Sequence, residues 1–247
     1  MTTISIITAT YNAAATLRDC IDSVAMQNHG AQHIIVDGVS TDETPDIVAA
    51  NKERVARFIS EPDQGLYDAM NKGIAAATSD VVGILNADDF YPDADVLSRV
   101  AAAFEDDSVD ACYGDLHYVD ATDTDKVVRN WKSGVFSRSK FLWGWMPPHP
   151  TFFVRRRLYQ DYGAFDLALG SAADYELMLR FLYRHDALAR YIPVVQVKMR
   201  AGGVSNASLA NRVAANRMDR KAWRVNGLRP YPWTTLVKPA RKLLQWL

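Results

Sequence analysis

Two adjacent carboxylates, Asp88 and Asp89, follow the apolar run Val81–Leu85 in Asn86-Ala87-Asp88-Asp89. Carboxylates placed directly after a buried strand suit a hard divalent cation. Mg²⁺ and Mn²⁺ take oxygen ligands and often share them with phosphate. The same residues also suit a solvated turn, since Asp and Asn form turns readily. Asp174 begins a helical pattern in Ala172-Ala173-Asp174-Tyr175-Glu176. A helix start stabilises an anion, and a general base has to be unprotonated near neutrality. An ordinary acidic first turn has the same appearance. Asp37 closes the run His33–Val36 and could accept hydrogen bonds from a nucleotide base or ribose, whereas Thr41, Asp42 and Thr44 ahead of Pro45 read as helix capping. Glu61 to Gly73 is a polar loop entering a helix, where Gly65 permits close backbone approach to a ligand and Asp68 reads as a cap. Arg200 precedes the flexible stretch Ala201-Gly202-Gly203-Val204-Ser205, which could close over a diphosphate with bidentate guanidinium contacts. His149, in Pro147-Pro148-His149-Pro150, is either held rigidly in a site or a structural imidazole.

The elements that must position these residues alternate. Thr3–Thr10 is a β-branched strand, Leu17, Cys20, Ile21 and Val24 recur at helical spacing, and His33–Val36 is a second strand. Thr44-Pro45 starts a helix, Arg57–Ser60 is a strand, Asp68–Ala77 an alanine-rich helix, and Val81–Leu85 a fourth strand. Such alternation predicts a Rossmann-like, mostly parallel sheet flanked by helices, with ligands beyond the carboxyl ends of the strands. Past Asp107, strands are expected at Val109–Asp115, Lys126–Trp131 and Tyr191–Met199, with a helix over Asp174–Arg184.

Composition narrows the function class. The 247 residues are 49% hydrophobic with formal net charge −1, so no overall field selects nucleic acid. Residues 216–247 carry +7 and residues 1–215 carry −8. Cys20 and Cys112 lack metal or redox spacing and read as buried thiols, which fits a reducing cytosol. The first residues show no basic flank of a leader, and no apolar run reaches a membrane span, so a soluble or peripheral cytoplasmic protein is expected.

Taken in order, TATYNAAATLRDCIDSVAMQ, IIVDGVSTDET, DQGLYDAMNKGIAAATSDVVGILNADD, PPHPTFFVRRRLYQDYGAFD, AADYELMLR and MRAGGVSN resemble glycosyltransferase family 2, inverting enzymes of the GT-A fold. The later motifs resemble a bacterial branch that builds surface polysaccharides and glycolipids. The resemblance covers residues 3–206 and implies a nucleotide-sugar donor, a carbohydrate acceptor that can be lipid-linked, and Mn²⁺ or Mg²⁺. It implies that Thr8, Ala9 and Tyr11 line the nucleotide pocket and that Asp37 contacts base or ribose. Asp63, Gly65, Asn71 and Lys72 would shape the nucleotide floor, and Asp88 would bind the metal with Asn86, Ala87 and Asp89 beside the donor. Arg200 would face the diphosphate, Asp174 would be the catalytic base, and His149 would belong to an acceptor-side loop. The family's first DxD carboxylate is replaced by Asn86, which offers an oxygen without charge. The implied division is a donor half, 1–107, a catalytic and acceptor half, 108–215, and a basic tail, 216–247.

Three other classes are weighed. A nicotinamide dehydrogenase would need a glycine fingerprint where Thr8-Ala9-Thr10-Tyr11-Asn12 stands. A nucleotidyltransferase would need a glycine-rich basic loop near the start. A binding scaffold without catalysis would not need both Asp88 and Asp174. In the tail, Leu236, Val237, Ala240, Leu243, Leu244 and Leu247 recur at helical spacing beside Lys238, Arg241 and Lys242, with Trp233 and Trp246 flanking. Residues 233–247 therefore read as a basic amphipathic segment for the inner face of the cytoplasmic membrane, or for packing on protein.

Overall fold

The computed structural model describes residues 1–202 and 209–234, of which 209–215 by their backbone. Among these residues the chain builds one nine-stranded mixed sheet. The first half follows the expected alternation: β1 (Ile4–Thr10), α1 (Leu17–Ala25), β2 (Gln32–Asp37), α2 (Thr44–Ala50), β3 (Arg57–Ser60), α3 (Leu66–Ala76) and β4 (Val81–Ile84). These four strands run parallel in the order β3-β2-β1-β4. Side chains alternate across a strand, so β1 feeds two cores. Ile7 and Ala9 pack with Ala69, Met70 and Ile74 of α3, whereas Ile4 and Ile6 pack with Cys20 and Val24 of α1. Both cysteines are free and buried, as expected, and burial pushes the Cys20 thiol up to about 12.

The second half extends the same sheet with antiparallel as well as parallel pairs. It adds β5 (Asp89–Phe90), α4 (Val96–Ala103), β6 (Ala111–Val119), β7 (Val127–Trp131), β8 (Phe153–Arg155), α5 (Arg156–Tyr162), α6 (Ala173–Met178), β9 (Ala189–Arg200) and α7 (Leu209–Val225). The three residues of β8 sit antiparallel between β4 and β6 and join the halves. Beyond β8, β6 pairs with β7 on one side and runs parallel to β9 along its length on the other. The expected helix over Asp174–Arg184 is α6 continued by wider, π-type turns from Leu179 to Arg184. A boundary between 215 and 216 would fall inside α7, whose Trp223 is fully buried and donates to the Tyr175 hydroxyl at 2.9 Å. Residues 203–208 and 235–247 lie outside the described residues, and with them the readings of Gly203, Val204, Ser205 and the stripe from Leu236 to Leu247.

One glycine sets how closely α3 lies on the sheet. A methyl added at Gly73 would stand 2.3 Å from Ile7 Cγ2, and Ile7 is fully buried. Gly73→Ala is expected to lower stability by roughly 1–3 kcal/mol, as overpacked cores do. Urea unfolding followed by circular dichroism measures this, with the midpoint falling and the slope unchanged.

Candidate active site

The carboxyl ends of β1, β2 and β3 lie side by side, because Thr10 pairs with Asp37 and Asp37 with Ser60. That register explains the surroundings of Asp37. Its carboxylate is fully buried and accepts from the Ser60 hydroxyl at 2.7 Å, the Ser40 amide at 3.1 Å and the Ser40 hydroxyl. The loop after β1 is clasped to the loop after β2 by side chains. The amides of Asn12, Ala13 and Ala14 donate to Ser40 Oγ, Thr44 Oγ1 and Asp42 Oδ2 at 2.8, 2.9 and 3.0 Å. Val39, β-branched, is held at φ +63°, a conformation such residues rarely adopt. Tyr11 stays 64% exposed at the rim of this clasp. Gly38 leaves room for Asp63, whose Oδ2 would meet an added methyl at 2.5 Å. Gly65 takes φ +105° ahead of α3, and its amide donates to Asp63 Oδ1 at 2.8 Å. Tyr11, Gly38 and Asp63 thus form one edge, with a ring free to stack and a carboxylate beside it.

The loop between β4 and β5 carries Asn86 to Asp89. Asp89 is fully buried, and burial followed by the Asp88 charge raises its carboxyl well above the usual carboxylate range. The Asn86 amide donates to Asp89 Oδ2 at 2.8 Å. Asn86 Oδ1 and Asp89 Oδ1 are buried and accept no hydrogen bond among the described residues. Asp88 is half-buried, and among those residues no donor reaches its carboxylate. Among the described residues no three His, Cys, Asp or Glu side chains converge as a preformed metal cage. One open carboxylate with orphaned hard oxygens beside it fits Mg²⁺ or Mn²⁺ completed by substrate phosphate and water.

Asp174 lies at the start of α6, half-buried, with Oδ1 accepting the Tyr175 amide at 2.7 Å. The Tyr67 phenol, on α3, lies within range of this carboxylate's charge. Burial and then Asp174 raise the phenol above its ordinary range. Burial lowers the His149 imidazole below its usual range, with the Asp174 charge opposing. Tyr67 and His149 both pack on Phe165, with ring centroids 5.1 and 5.7 Å away. Burial, opposed by Arg129, raises the Tyr118 phenol of β6 above its ordinary range, with smaller contributions from the Asp89 and Asp174 charges, and the Arg129 guanidinium lies 4.0 Å from its ring centroid.

The family model described as Glycosyl transferase family 2 matches residues 5–163. The chain belongs to this family. A PGL/p-HBAD biosynthesis glycosyltransferase of Mycobacterium tuberculosis is 36% identical over 212 residues, covering 82% of this chain and 78% of its own. Staphylococcus aureus TarS 1-349 in complex with UDP superposes with a TM-score of 0.67 at 19% identity, over 89% of this chain and 65% of that one. The mannosyltransferase PcManGT from Pyrobaculum calidifontis, in complex with GDP-Man and Mn²⁺, superposes with a TM-score of 0.67 at 21% identity, over 98% of this chain and 70% of that one. These likenesses establish the GT-A fold.

Within this family 2 glycosyltransferase several expected donor residues face elsewhere. The Thr8 hydroxyl is fully buried, 3.0 Å from His33 Nε2 and 3.6 Å from Cys20 Sγ, so it serves the core. Strand alternation carries the signal, since Thr8 shares a face with Ile4 and Ile6. Ala9 and Ala87 are also buried. Lys72 braces the loop before α3, donating to the Pro62 carbonyl at 2.6 Å and pairing with Glu61 at 3.0 Å. Arg200, expected on a flexible loop, is nearly buried and donates to the Asp88 carbonyl at 2.8 Å and to Asp19. Asn71 forms a two-point bond with the Phe165 backbone, both contacts at 2.9 Å. Tyr67, Tyr118 and Phe165 are site residues that single-residue reading missed, because aromatics within apolar patterns look like core.

The Asn71 clamp is separable from nucleotide binding. Asn71→Ala leaves a backbone amide and carbonyl unpaired, with an expected loss of roughly 1–3 kcal/mol. Calorimetric titration of the folded variant with UDP and with GDP should give affinities within twofold of the parent. A tenfold loss would return Asn71 to the nucleotide floor.

Proposed function

We propose that this glycosyltransferase moves a hexosyl or N-acetylhexosaminyl group from a UDP-sugar to a carbohydrate acceptor, with inversion and with a divalent cation. The observation that carries the reading is the pair of open carboxylates in different settings. Among the described residues no donor meets the Asp88 carboxylate, which adjoins orphaned oxygens, and Asp174 accepts the Tyr175 amide at the start of α6, with its charge felt by Tyr67 and His149. The UDP complex of TarS supports the choice of nucleotide, and the Mn²⁺ in PcManGT supports the choice of ion. In this reading residues 1–107 hold the donor and residues 108–215 supply the acceptor side and the base.

Chemically the reaction is one displacement. Tyr11 stacks on the base, and Asp63 meets the nucleoside at the edge opened by Gly38. Asp88 holds the cation, which when bound offsets negative charge on the departing diphosphate. Arg200 fixes the Asp88 backbone and so sets where that carboxylate points. Asp174 accepts the proton of an acceptor hydroxyl while the oxygen forms its bond to the anomeric carbon. The bond from that carbon to the diphosphate breaks on the opposite face, and the nucleoside diphosphate leaves with the electron pair. The Tyr175 amide, donating at 2.7 Å, keeps the Asp174 carboxylate aimed. The acceptor is a carbohydrate, free or lipid-linked, in the assembly of a surface polysaccharide or glycolipid. Sequence resemblance to that bacterial branch supports this choice.

Release of nucleoside diphosphate from a panel of sugar nucleotides with Mn²⁺ tests the class, and a scaffold would release none. Asp88→Ala should abolish cation-stimulated release while the far-ultraviolet spectrum stays that of the parent. Full activity of this variant in the presence of chelator would remove Asp88 from the metal role.

Asp174→Asn keeps shape but cannot take a proton. Turnover at saturating donor should fall by roughly two to four orders of magnitude, with donor binding retained. Loss of donor affinity with turnover intact would make Asp174 a binding residue.

A further inference from the structure

Trp143, Tyr231 and Trp233 touch one another on the surface. They are 49%, 44% and 43% exposed. Tyr231 and Trp233 stack with centroids 5.0 Å apart, and Trp143 closes the group at 6.3 Å from Tyr231 and 6.2 Å from Trp233. Large aromatics usually sit inside, and three together on a surface mark a contact face. This face is built. The hydroxyl of buried Thr234 donates to the Leu142 carbonyl at 2.7 Å, which pins the segment carrying Tyr231 and Trp233 onto the short helical segment Arg138–Trp143.

The two stretches of sequence that carry the rings are basic. Residues 132–151 contain Lys132, Arg138 and Lys140 and no acid, and residues 224–247 contain Arg224, Arg229, Lys238, Arg241 and Lys242 and no acid. The last thirteen residues of the chain, 235–247, follow directly from Thr234, so their basic and apolar sequence starts at this face. Two sources of acidity that could have balanced it, Asp186 and Asp219, are respectively paired with Arg138 and buried. Trp and Tyr combine an apolar ring with a polar handle, which suits the level of lipid headgroups, and Lys and Arg are drawn to an anionic leaflet. Among the described residues no helix is long and apolar enough to cross a membrane, so the contact would be lateral.

We propose that Trp143, Tyr231 and Trp233 form a docking face for an anionic bilayer surface, together with the exposed basic residues Lys132, Arg224 and Arg229 of the described parts of these segments. The first segment and the helix that leads into the second also pack on the element that carries the proposed base. Phe141, two residues before Trp143, lies 6.3 Å from Tyr175, and Trp223 of α7 donates to the same Tyr175, the neighbour of Asp174. Docking here would hold the acceptor side of the site in a fixed relation to the bilayer. None of the three rings has a role in the glycosyl-transfer reading, so this inference and that reading fail separately.

The test is co-sedimentation of the full chain with vesicles of phosphatidylcholine and phosphatidylglycerol at three to one, against phosphatidylcholine alone. The parent should bind the anionic vesicles at least fivefold more tightly than the neutral ones. The triple variant Trp143→Ser, Tyr231→Ser, Trp233→Ser should lose at least fivefold of that binding, and Trp143→Ser alone should fall between. The far-ultraviolet circular dichroism spectrum and the thermal unfolding midpoint report that each variant is folded and should stay those of the parent. Equal binding by parent and triple variant overturns the proposal, as does equal binding to neutral vesicles or none to anionic ones. A parent dimer that the triple variant converts to monomer, without lipid binding, also overturns it and makes the face a contact between copies. Soluble oligosaccharide binding lost with the three rings, and no vesicle binding, overturns it in favour of a sugar platform.

Discussion

Arg200, at the last residue of β9, donates to the Asp88 carbonyl at 2.8 Å and to the Asp19 carboxylate, and its guanidinium lies 4.9 Å over the Phe90 ring. A nearly buried guanidinium has to be paired, and here its partners are the loop of the candidate metal ligand and helix α1. The arrangement exists only because β9 runs parallel to β6 up to the pairing of Val119 with Arg200, while Asp89 pairs with Met199. In turn β6 is joined to the first half of the sheet through the three residues of β8. The position of Asp88 therefore depends on a chain of strand registers that passes through the whole second half. The loop that carries Asp88 is not completed by the first half alone.

A similar dependence runs the other way through α3. Tyr67 and Asn71 stand one turn apart on one side of that helix, the spacing at which side chains share a face. Tyr67 packs on Phe165 and feels the Asp174 charge, and Asn71 clamps Phe165, against which His149 also packs. Gly73, on the side toward the sheet, lets α3 lie close on Ile7. A helix read from sequence as part of the nucleotide floor is therefore also the support of the proposed base. Glu176 adds a second anchor. It is buried and paired with Arg180 at 2.9 Å, and Arg180 donates on to the carbonyls of Gly163 and Ala164 at 2.8 and 2.6 Å. The loop from 162 to 165 is thus tied to the base from both ends.

The parallel strands β1 to β4 and the helices between them were legible in the sequence. β-branched apolar runs and helical spacing are local properties, and the loops at the strand ends had to carry the polar residues. The order of motifs was enough for the family and the GT-A fold. Elements with little local signal were not legible: β5 has two residues, β8 has three, and α4 is a single eight-residue helix after a Pro- and Asp-rich turn. Local sequence determined which residue types stand at the strand ends. Tertiary structure alone decided which of them face the site. Thr8 turned inward to His33, Asn71 found Phe165 94 residues away, and Arg200 found Asp88 112 residues away. Contacts across such separations follow from sheet order and register, which are settled only when the whole core packs, because a shift of one residue would turn every side chain of a strand to its other face.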